Sequence, residues 1–327
     1  MAGSGRGGTR GRKTRGFGHS YTGAVTTPAS SSPNAPTPPT RPVVAGRLEA
    51  LAAPSARTVR WEIAIVLALS LGKSAVYAIV NLIDKWTQAP LSGQTTTLNP
   101  ALDDRQYFDL TYQLLDIGFA LVPVLLVLHL VWIRGRNPLR TFGLDFRRPG
   151  RDVVLGIGLF LAIGLGTLAV YAAGRAAGVT TAIVGSALNE YWWSTPVLLF
   201  SALRHGLLEE IIVMAWLFDR LGYLQQRRAG LDPNRPGGEG GLRTWASGAV
   251  VPLNPVTVLV GCAVLRGAYH LYQGVGPGIG NLLMGLVFGA VYLRYRRVMP
   301  LVIAHFLLDA AGFVAYPLLA AAGLFGT

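Results

Sequence analysis

Residues 201–220 read Ser201-Ala-Leu-Arg-His-Gly-Leu-Leu-Glu-Glu-Ile-Ile-Val-Met-Ala-Trp-Leu-Phe-Asp-Arg220, and this stretch decides the fold. Two adjacent carboxylates, Glu209 and Glu210, lie in an apolar run from Trp192 to Phe218. Because about 20 apolar residues can cross the hydrocarbon layer as a helix, the run predicts a transmembrane helix. Charges inside such a helix cost at least ~2.5 kcal/mol each and usually serve a function. The alternative is a protonated or cation-paired Glu that only joins helices.

The composition of the whole chain agrees with a membrane protein. The chain has 327 residues, of which 51% are hydrophobic and only 14% are charged. Soluble domains carry about 25% charged residues, so a soluble fold is disfavoured. The one cysteine, Cys262, excludes an internal disulfide and lies in an apolar segment. No Cys/His cluster has zinc-finger spacing.

Residues 1–57 have a different composition from the rest of the chain. They are rich in Gly, Ser, Thr, Pro and Arg and cannot bury a core, so we predict a disordered basic tail. The arginines could contact RNA or acidic lipid. The positive-inside rule favours a cytoplasmic tail near anionic headgroups, so the lipid bilayer is an expected partner and nucleic acid is not.

Beyond the tail, apolar runs predict an all-α, polytopic membrane bundle of about seven spans. Arginine-rich loops alternate with arginine-poor loops, which predicts a cytoplasmic N-terminus. We divide the bundle into N-terminal helices at 58–189 and a core at 190–327, with a glycine-rich turn expected at Gln273 to Gly280. The predicted spans cover residues 63–83, 110–133, 153–173, 192–218, 256–270, 282–293 and 301–324.

Three further polar residues lie within the last spans. His270 ends the fifth span, and His305 and Asp309 are four residues apart on one face of the last. Any one of them could be a simple interhelical hydrogen bond. However, Glu209 and Asp309 are at similar depths, about 16 and 14 Å from the cytoplasmic ends of their helices at ~1.5 Å per residue. The coincidence predicts one polar pocket.

Two chemistries suit such a pocket. A carboxylate and an imidazole can take a proton from water while a second imidazole and an acid stabilise the tetrahedral oxyanion. Alternatively, a Glu and two His can bind a divalent metal such as zinc with an open water position. Because the spacing H-E-x-x-H is absent, a metal site would have to be assembled from separate helices.

In these residues the chain resembles the CPBP intramembrane endopeptidases. This Abi-type family includes the CAAX prenyl proteases and the bacteriocin-processing or immunity proteins. Its signature is Glu-Glu-x-x-x-Arg, then Phe-x-x-x-His, then His-x-x-x-Asn or Asp, each on its own membrane helix. The resemblance covers roughly residues 191–320, and the matching segments are Glu209-Glu210-Ile-Ile-Val-Met214, Arg266-Gly-Ala-Tyr-His270 and His305-Phe-Leu-Leu-Asp309.

The resemblance implies roles for these residues. Glu209 with His270 would activate the attacking water, His305 with Asp309 would stabilise the oxyanion, and Glu210 would support Glu209. The implied protein is a multi-pass protease of the cell membrane that cleaves a peptide or membrane-protein substrate. Both a metalloprotease and a metal-free glutamate mechanism are compatible with the residues.

Two positions depart from the family pattern, since Met214 replaces the motif arginine and Arg266 the motif phenylalanine. A buried arginine keeps its proton and needs an anion, and Glu210 needs a cation. We therefore predict that Arg266 pairs with Glu210 across helices; the alternative is that Arg266 snorkels to an interface or meets backbone carbonyls. The departures leave a catalytically silent binding or immunity protein as a rival function. A proton-coupled transporter is a third, although the internal repeat typical of transporters is not visible.

Overall fold

The computed structural model describes residues 53–233 and 240–315. Helices dominate these residues, which confirms the all-α prediction. The predicted tail up to residue 52 and the predicted end of the last span, from residue 316, lie outside the described residues. The helices are α1 (Ala56–Leu69), α2 (Leu71–Gln88), α3 (Gln106–Ala120), α4 (Val122–Trp132), α5 (Pro138–Phe142), α6 (Pro149–Ala176), α7 (Ser194–Glu209), α8 (Phe218–Arg228), α9 (Pro255–Tyr269), α10 (Val275–Tyr295) and α11 (Met299–Ala310).

Shorter elements complete the described ranges. Single 3-10 turns cover Leu91–Gly93 and Leu271–Gln273, and π-helical turns cover Glu210–Leu217 and Ala311–Ala315. Strands β1 (Thr95–Thr97) and β2 (Ala182–Val184) form one parallel pair in which Thr96 is opposite Ile183. This pair joins the loop after α2 to the loop after α6.

Three helical stretches of the described residues are long and apolar enough to cross a membrane, namely Gln106–Trp132, Pro149–Ala176 and Val275–Tyr295. A fourth results if the bent pair of α1 and α2 is one span, and α9 and Met299–Ala315 are shorter apolar helices. The protein is therefore a helical membrane protein. The count of seven spans, the cytoplasmic N-terminus and the division near residue 190 stay predictions.

The first predicted span, residues 63–83, is not a straight helix. The chain bends by 51° between α1 and α2. At the bend the Ser70 hydroxyl donates to the Val66 carbonyl at 2.6 Å, a bond that often bends helices. Gly72 follows, where a Cβ would lie 2.7 Å from the Leu67 carbonyl oxygen. The prediction of one uninterrupted helix was wrong for this local reason.

The prediction of a glycine-rich turn from Gln273 to Gly280 was also wrong for most of this segment, which is helical from Val275. Helix α10 begins at Val275, seven residues before the predicted start of that span. A Cβ at Gly276 would lie 2.2 Å from the Thr180 hydroxyl, and one at Gly278 would lie 2.6 Å from the Leu271 side chain. These glycines permit close packing within a membrane helix rather than a turn.

The helices that carry the polar residues form the centre of the bundle. Helix α10 packs on α9 and α6, while α11 packs on α6 and α7. Gly206 brings α7 close to α11, since a Cβ there would lie 3.2 Å from the Val302 carbonyl oxygen. The polar side chains of α7, α9 and α11 are thereby directed into one region.

Candidate active site

The two glutamates lie where the helix changes its hydrogen-bond pattern. Glu209 is the last residue of α7, and Glu210 is the first residue of the π-helical turn that leads into α8. Glu210 is fully buried and Glu209 is 7% exposed. π-helical turns are rare and are frequently found at functional sites.

Arg266 supplies the cation that Glu210 requires. Its Nη1 donates to Glu210 Oε1 at 2.7 Å, and its Nη2 is 3.3 Å from Glu209 Oε2. The guanidinium has no exposed surface. The predicted pair between Arg266 and Glu210 is confirmed, and the alternative of a snorkelling side chain is wrong.

Helix α10 makes room for this arginine. A Cβ at Gly285 would lie 3.0 Å from Ala263 Cα and 3.2 Å from Arg266 Cδ, so only glycine leaves the stem undisturbed. The guanidinium also lies 5.3 Å from the ring centroid of Phe288, within range of a cation–π contact.

His305 connects α11 to both glutamates. Its Nδ1 is 2.7 Å from Glu210 Oε1 and 3.1 Å from Arg266 Nη2. Its Nε2 is 3.7 Å from Asp309 Oδ2 and 4.0 Å from Glu209 Oε2. Each ring nitrogen therefore has a carboxylate nearby.

His270 joins the cluster less directly. Its Nδ1 donates to the Arg266 carbonyl at 3.0 Å, which leaves Nε2 as the acceptor of the neutral ring. The ring centroid lies 4.7 Å from that of Tyr269, whose hydroxyl donates to Glu209 Oε2 at 2.8 Å. Among the hydrogen bonds of the described residues, none links His270 and Glu209 directly.

Two residues of the cluster are absent from the sequence predictions. Tyr269 contacts Glu209, and His205 Nδ1 lies 3.0 Å from Asp309 Oδ2. His205 precedes Glu209 by four residues, a spacing that places both on one helix face. The spacing to Glu209 could have identified His205 from the sequence. For Tyr269, the sequence contains only the fact that it is adjacent to His270.

The donor set does not fit a divalent metal. No group of three or more His, Cys, Asp or Glu side chains in the described residues is arranged to hold a metal ion. Instead, the Arg266 guanidinium lies between the two glutamates and provides the positive charge that they need. Within the described residues, Glu210 Oε2 and Arg266 Nε are buried without a hydrogen-bond partner, so the ion pairs do not use every polar atom of the cluster.

A cavity of about 540 Å³ lies beside this cluster. It is open to the outside and is lined by a face of α2 together with Tyr269 and Tyr272. Tyr269 thus contacts both this pocket and Glu209, to which its hydroxyl donates. The lining residues of the pocket are Ser74, Tyr77, Ala78, Val80, Asn81, Asp84, Tyr269 and Tyr272.

Comparison with known proteins agrees with this geometry. The family model described as Type II CAAX prenyl endopeptidase Rce1-like matches residues 191–311. Neither a curated protein nor a solved structure matches the chain. The matched segment contains the cluster described above, from His205 to Asp309, and the resemblance to the CPBP family is confirmed. Over residues 191–311 the chain is therefore similar to the Rce1-like family of type II CAAX prenyl endopeptidases.

Proposed function

We propose that this protein is an intramembrane endopeptidase that hydrolyses a peptide bond with a water molecule activated by Glu209. The observation that supports the proposal best is the buried cluster of Glu209, Glu210, Arg266 and His305 inside the Rce1-like segment. The substrate is a peptide or a membrane protein, and a prenylated C-terminal CAAX peptide is the first candidate, since the family is a prenyl endopeptidase family.

Glu209 is placed to act as the general base. Its Oε2 accepts from Tyr269 and lies near Arg266, whereas its Oε1 has no protein partner among the described residues. A water bound at Oε1 would donate one proton there, and the unprotonated Nε2 of His270 would orient that water. Glu209 would then return the proton to the leaving amine.

His305 is placed to stabilise the oxyanion. A tetrahedral intermediate needs hydrogen-bond donors and positive charge close to its oxygen. His305 Nε2 and the Arg266 guanidinium supply both beside Glu209. An ionised Asp309 has no proton to donate, so we assign it to holding His305 rather than to direct contact with the oxyanion.

The test is cleavage by Glu209→Gln in nanodiscs, with a prenylated CAAX peptide and its unprenylated form as substrates. Loss of the base should lower kcat by about 10²- to 10⁴-fold, the usual contribution of general base catalysis. The thermal unfolding temperature should fall less than in a variant without Arg266, because Arg266 keeps Glu210 as its anion and the amide can still accept from Tyr269. Glu190→Gln, an exposed residue before α7, is the matched control and should retain full activity.

A catalytically silent relative remains the second candidate, because Glu209 Oε2 is already held by Tyr269 and Arg266. If the wild type binds these peptides without cleaving them, that function replaces the protease. If Glu209→Gln cleaved the peptide at the wild-type rate, Glu209 would not be the general base.

A further inference from the structure

His205 is a histidine of the cluster that the proposed reaction leaves without a role. It lies on α7, one turn before Glu209, and its Nδ1 is 3.0 Å from Asp309 Oδ2. Its ring also meets the edge of Phe313 with centroids 5.8 Å apart. The ring is therefore held by packing and by polar contacts at the same time.

The neighbouring arginine fixes the tautomer of His205. Arg204 Nη2 contacts His205 Nε2, and a guanidinium has donors but no acceptor. His205 Nε2 must therefore accept, so the ring proton is on Nδ1 and is donated to Asp309. Arg204 is itself anchored, since its Nη1 donates to Asp116 Oδ2 on α3 at 2.9 Å.

Asp309 Oδ2 is shared by two imidazoles. It accepts from His205 Nδ1 at 3.0 Å and lies 3.7 Å from His305 Nε2. Without His205, the Asp309 carboxylate could turn away from His305, because its other contacts among the described residues are not hydrogen bonds. At 3.7 Å this carboxylate leaves the Nε2 proton of His305 free to donate, while its charge favours the protonated ring.

We propose that His205 is a positioning residue of the Rce1-like site. By donating from Nδ1 to Asp309, it holds that carboxylate beside His305, where its negative charge favours the protonated ring whose positive charge stabilises the oxyanion. The inference rests on the proposed endopeptidase function. It also predicts a chemical state of His205 that can be measured without any cleavage.

The first test uses two amides at position 205. In His205→Asn the amide nitrogen is attached to Cγ, as Nδ1 is in histidine, so the bond to Asp309 can persist. In His205→Gln the amide nitrogen lies further along the side chain, near the place of Nε2. We expect the kcat of His205→Asn to lie within about 3-fold of the wild-type value. The kcat of His205→Gln should be about 10- to 100-fold lower, which is the range for loss of a hydrogen bond to a charged group. KM should be unchanged, because His205 does not touch the substrate, and His129→Gln on α4 serves as the control.

The second test is the combination of His205→Gln with Asp309→Asn. If His205 acts through Asp309, the double variant should be no slower than Asp309→Asn alone. Losses that multiply, or equal activity of the Asn and Gln variants, would show that His205 only supports the fold and would overturn the proposal.

The third test does not depend on activity. The chain has five histidines, and ¹⁵N spectra of histidine-labelled protein in lipid report the protonated nitrogen of each. The His205 signals, identified by their absence in His205→Gln, should show a protonated Nδ1 and a bare Nε2, and they should shift in Asp309→Asn. A bare Nδ1 would refute the positioning role even in an active enzyme, whereas the expected state in an inactive protein would leave only the proposed function in error.

Discussion

Two clusters of buried charge lie on one continuous helix, about ten residues apart, and they differ in kind. The first, which we name the catalytic cluster after its proposed role, is centred on Glu209 and Glu210. The second, which we name the arginine cluster, is centred on Asp219. There, Arg136 Nη2 is 2.7 Å and Arg220 Nη2 is 2.8 Å from Asp219, and the Val250 N–H donates to Asp219 Oδ1 at 2.8 Å. Its full membership is Glu62, Arg134, Arg136, Asp219 and Arg220.

The two clusters differ in whether their groups can exchange protons, as the proposed reaction requires. Every cation of the arginine cluster is a guanidinium, which does not exchange its proton in proteins. The catalytic cluster contains imidazoles, which do, and a carboxylate oxygen on Glu209 without a protein partner. Burial and pairing are common to both clusters. What distinguishes the catalytic cluster from the arginine cluster is the combination of imidazoles, which exchange protons, with a carboxylate oxygen of Glu209 that can accept one.

The largest expected effect lies in the catalytic cluster. Arg266→Phe would leave Glu209 and Glu210 buried without their cation, and breaking a buried pair costs about 3–5 kcal/mol. We therefore expect both a lower unfolding temperature and loss of cleavage. Thermal unfolding in nanodiscs and the peptide assay measure the two effects separately.

The double variant Arg266→Phe with Met214→Arg sharpens this result. It places the arginine at position 214 and the phenylalanine at position 266, as in the family motif. Position 214 is fully buried. Recovery of stability would show that the two positions exchange one cation. A double variant no better than Arg266→Phe would mean that the π-helical turn directs residue 214 away from Glu210.

A smaller and purely structural effect is expected in the arginine cluster. Asp219→Asn removes the anion shared by Arg136 and Arg220, while the amide oxygen can still accept hydrogen bonds. We expect a loss of about 2–4 kcal/mol of stability, near the lower end of the range for a broken buried pair. In nanodiscs, at a temperature where the variant is folded, kcat should stay within about 3-fold of the wild-type value. The reason is that changes at well-separated sites usually act independently. If Asp219→Asn instead lost kcat while its stability stayed at the wild-type value, the arginine cluster would take part in catalysis and the contrast between the clusters would be wrong.

The smallest expected effect concerns an ion pair near the surface, between Arg297 and Asp145 at 2.9 Å. Burial acts to raise the pKa of Asp145, but the hydrogen bonds from Arg297 and the Arg147 backbone N–H outweigh it and hold the pKa below its ordinary value. The pair therefore stabilises the fold above the unfolded-state pKa of about 4, and this contribution disappears as the pH falls through the lower, folded-state pKa.

Asp145→Asn should accordingly lower stability by less than about 1 kcal/mol at pH 7, as is usual for such pairs. Unfolding curves of the variant and the wild type should converge as the pH falls below about 4. A difference that grows on acidification would contradict the assigned sign.

The sequence predicted the all-α fold and the pair of Arg266 with Glu210, and its failures have local causes. The pair of Glu210 and Arg266 was predictable because a buried arginine and a buried glutamate each require a partner. His205 was not, because it belongs to no motif and its partner Asp309 lies on another helix. The start of α10 was missed because glycines signal turns in water but permit close packing in a membrane helix.

The π-helical turn at Glu210–Leu217 also sets the phase between the two halves of its helix. Each residue of an α-helix advances the chain by about 100° around the axis. An extra residue in an ordinary α-helix would therefore turn Asp219 and Arg220 by about that angle relative to Glu209. The π-helical turn absorbs such a residue, because its bonds run from residue i to i+5 instead of i to i+4. Removing one residue here would thus close the turn to the α pattern and leave the two clusters aligned.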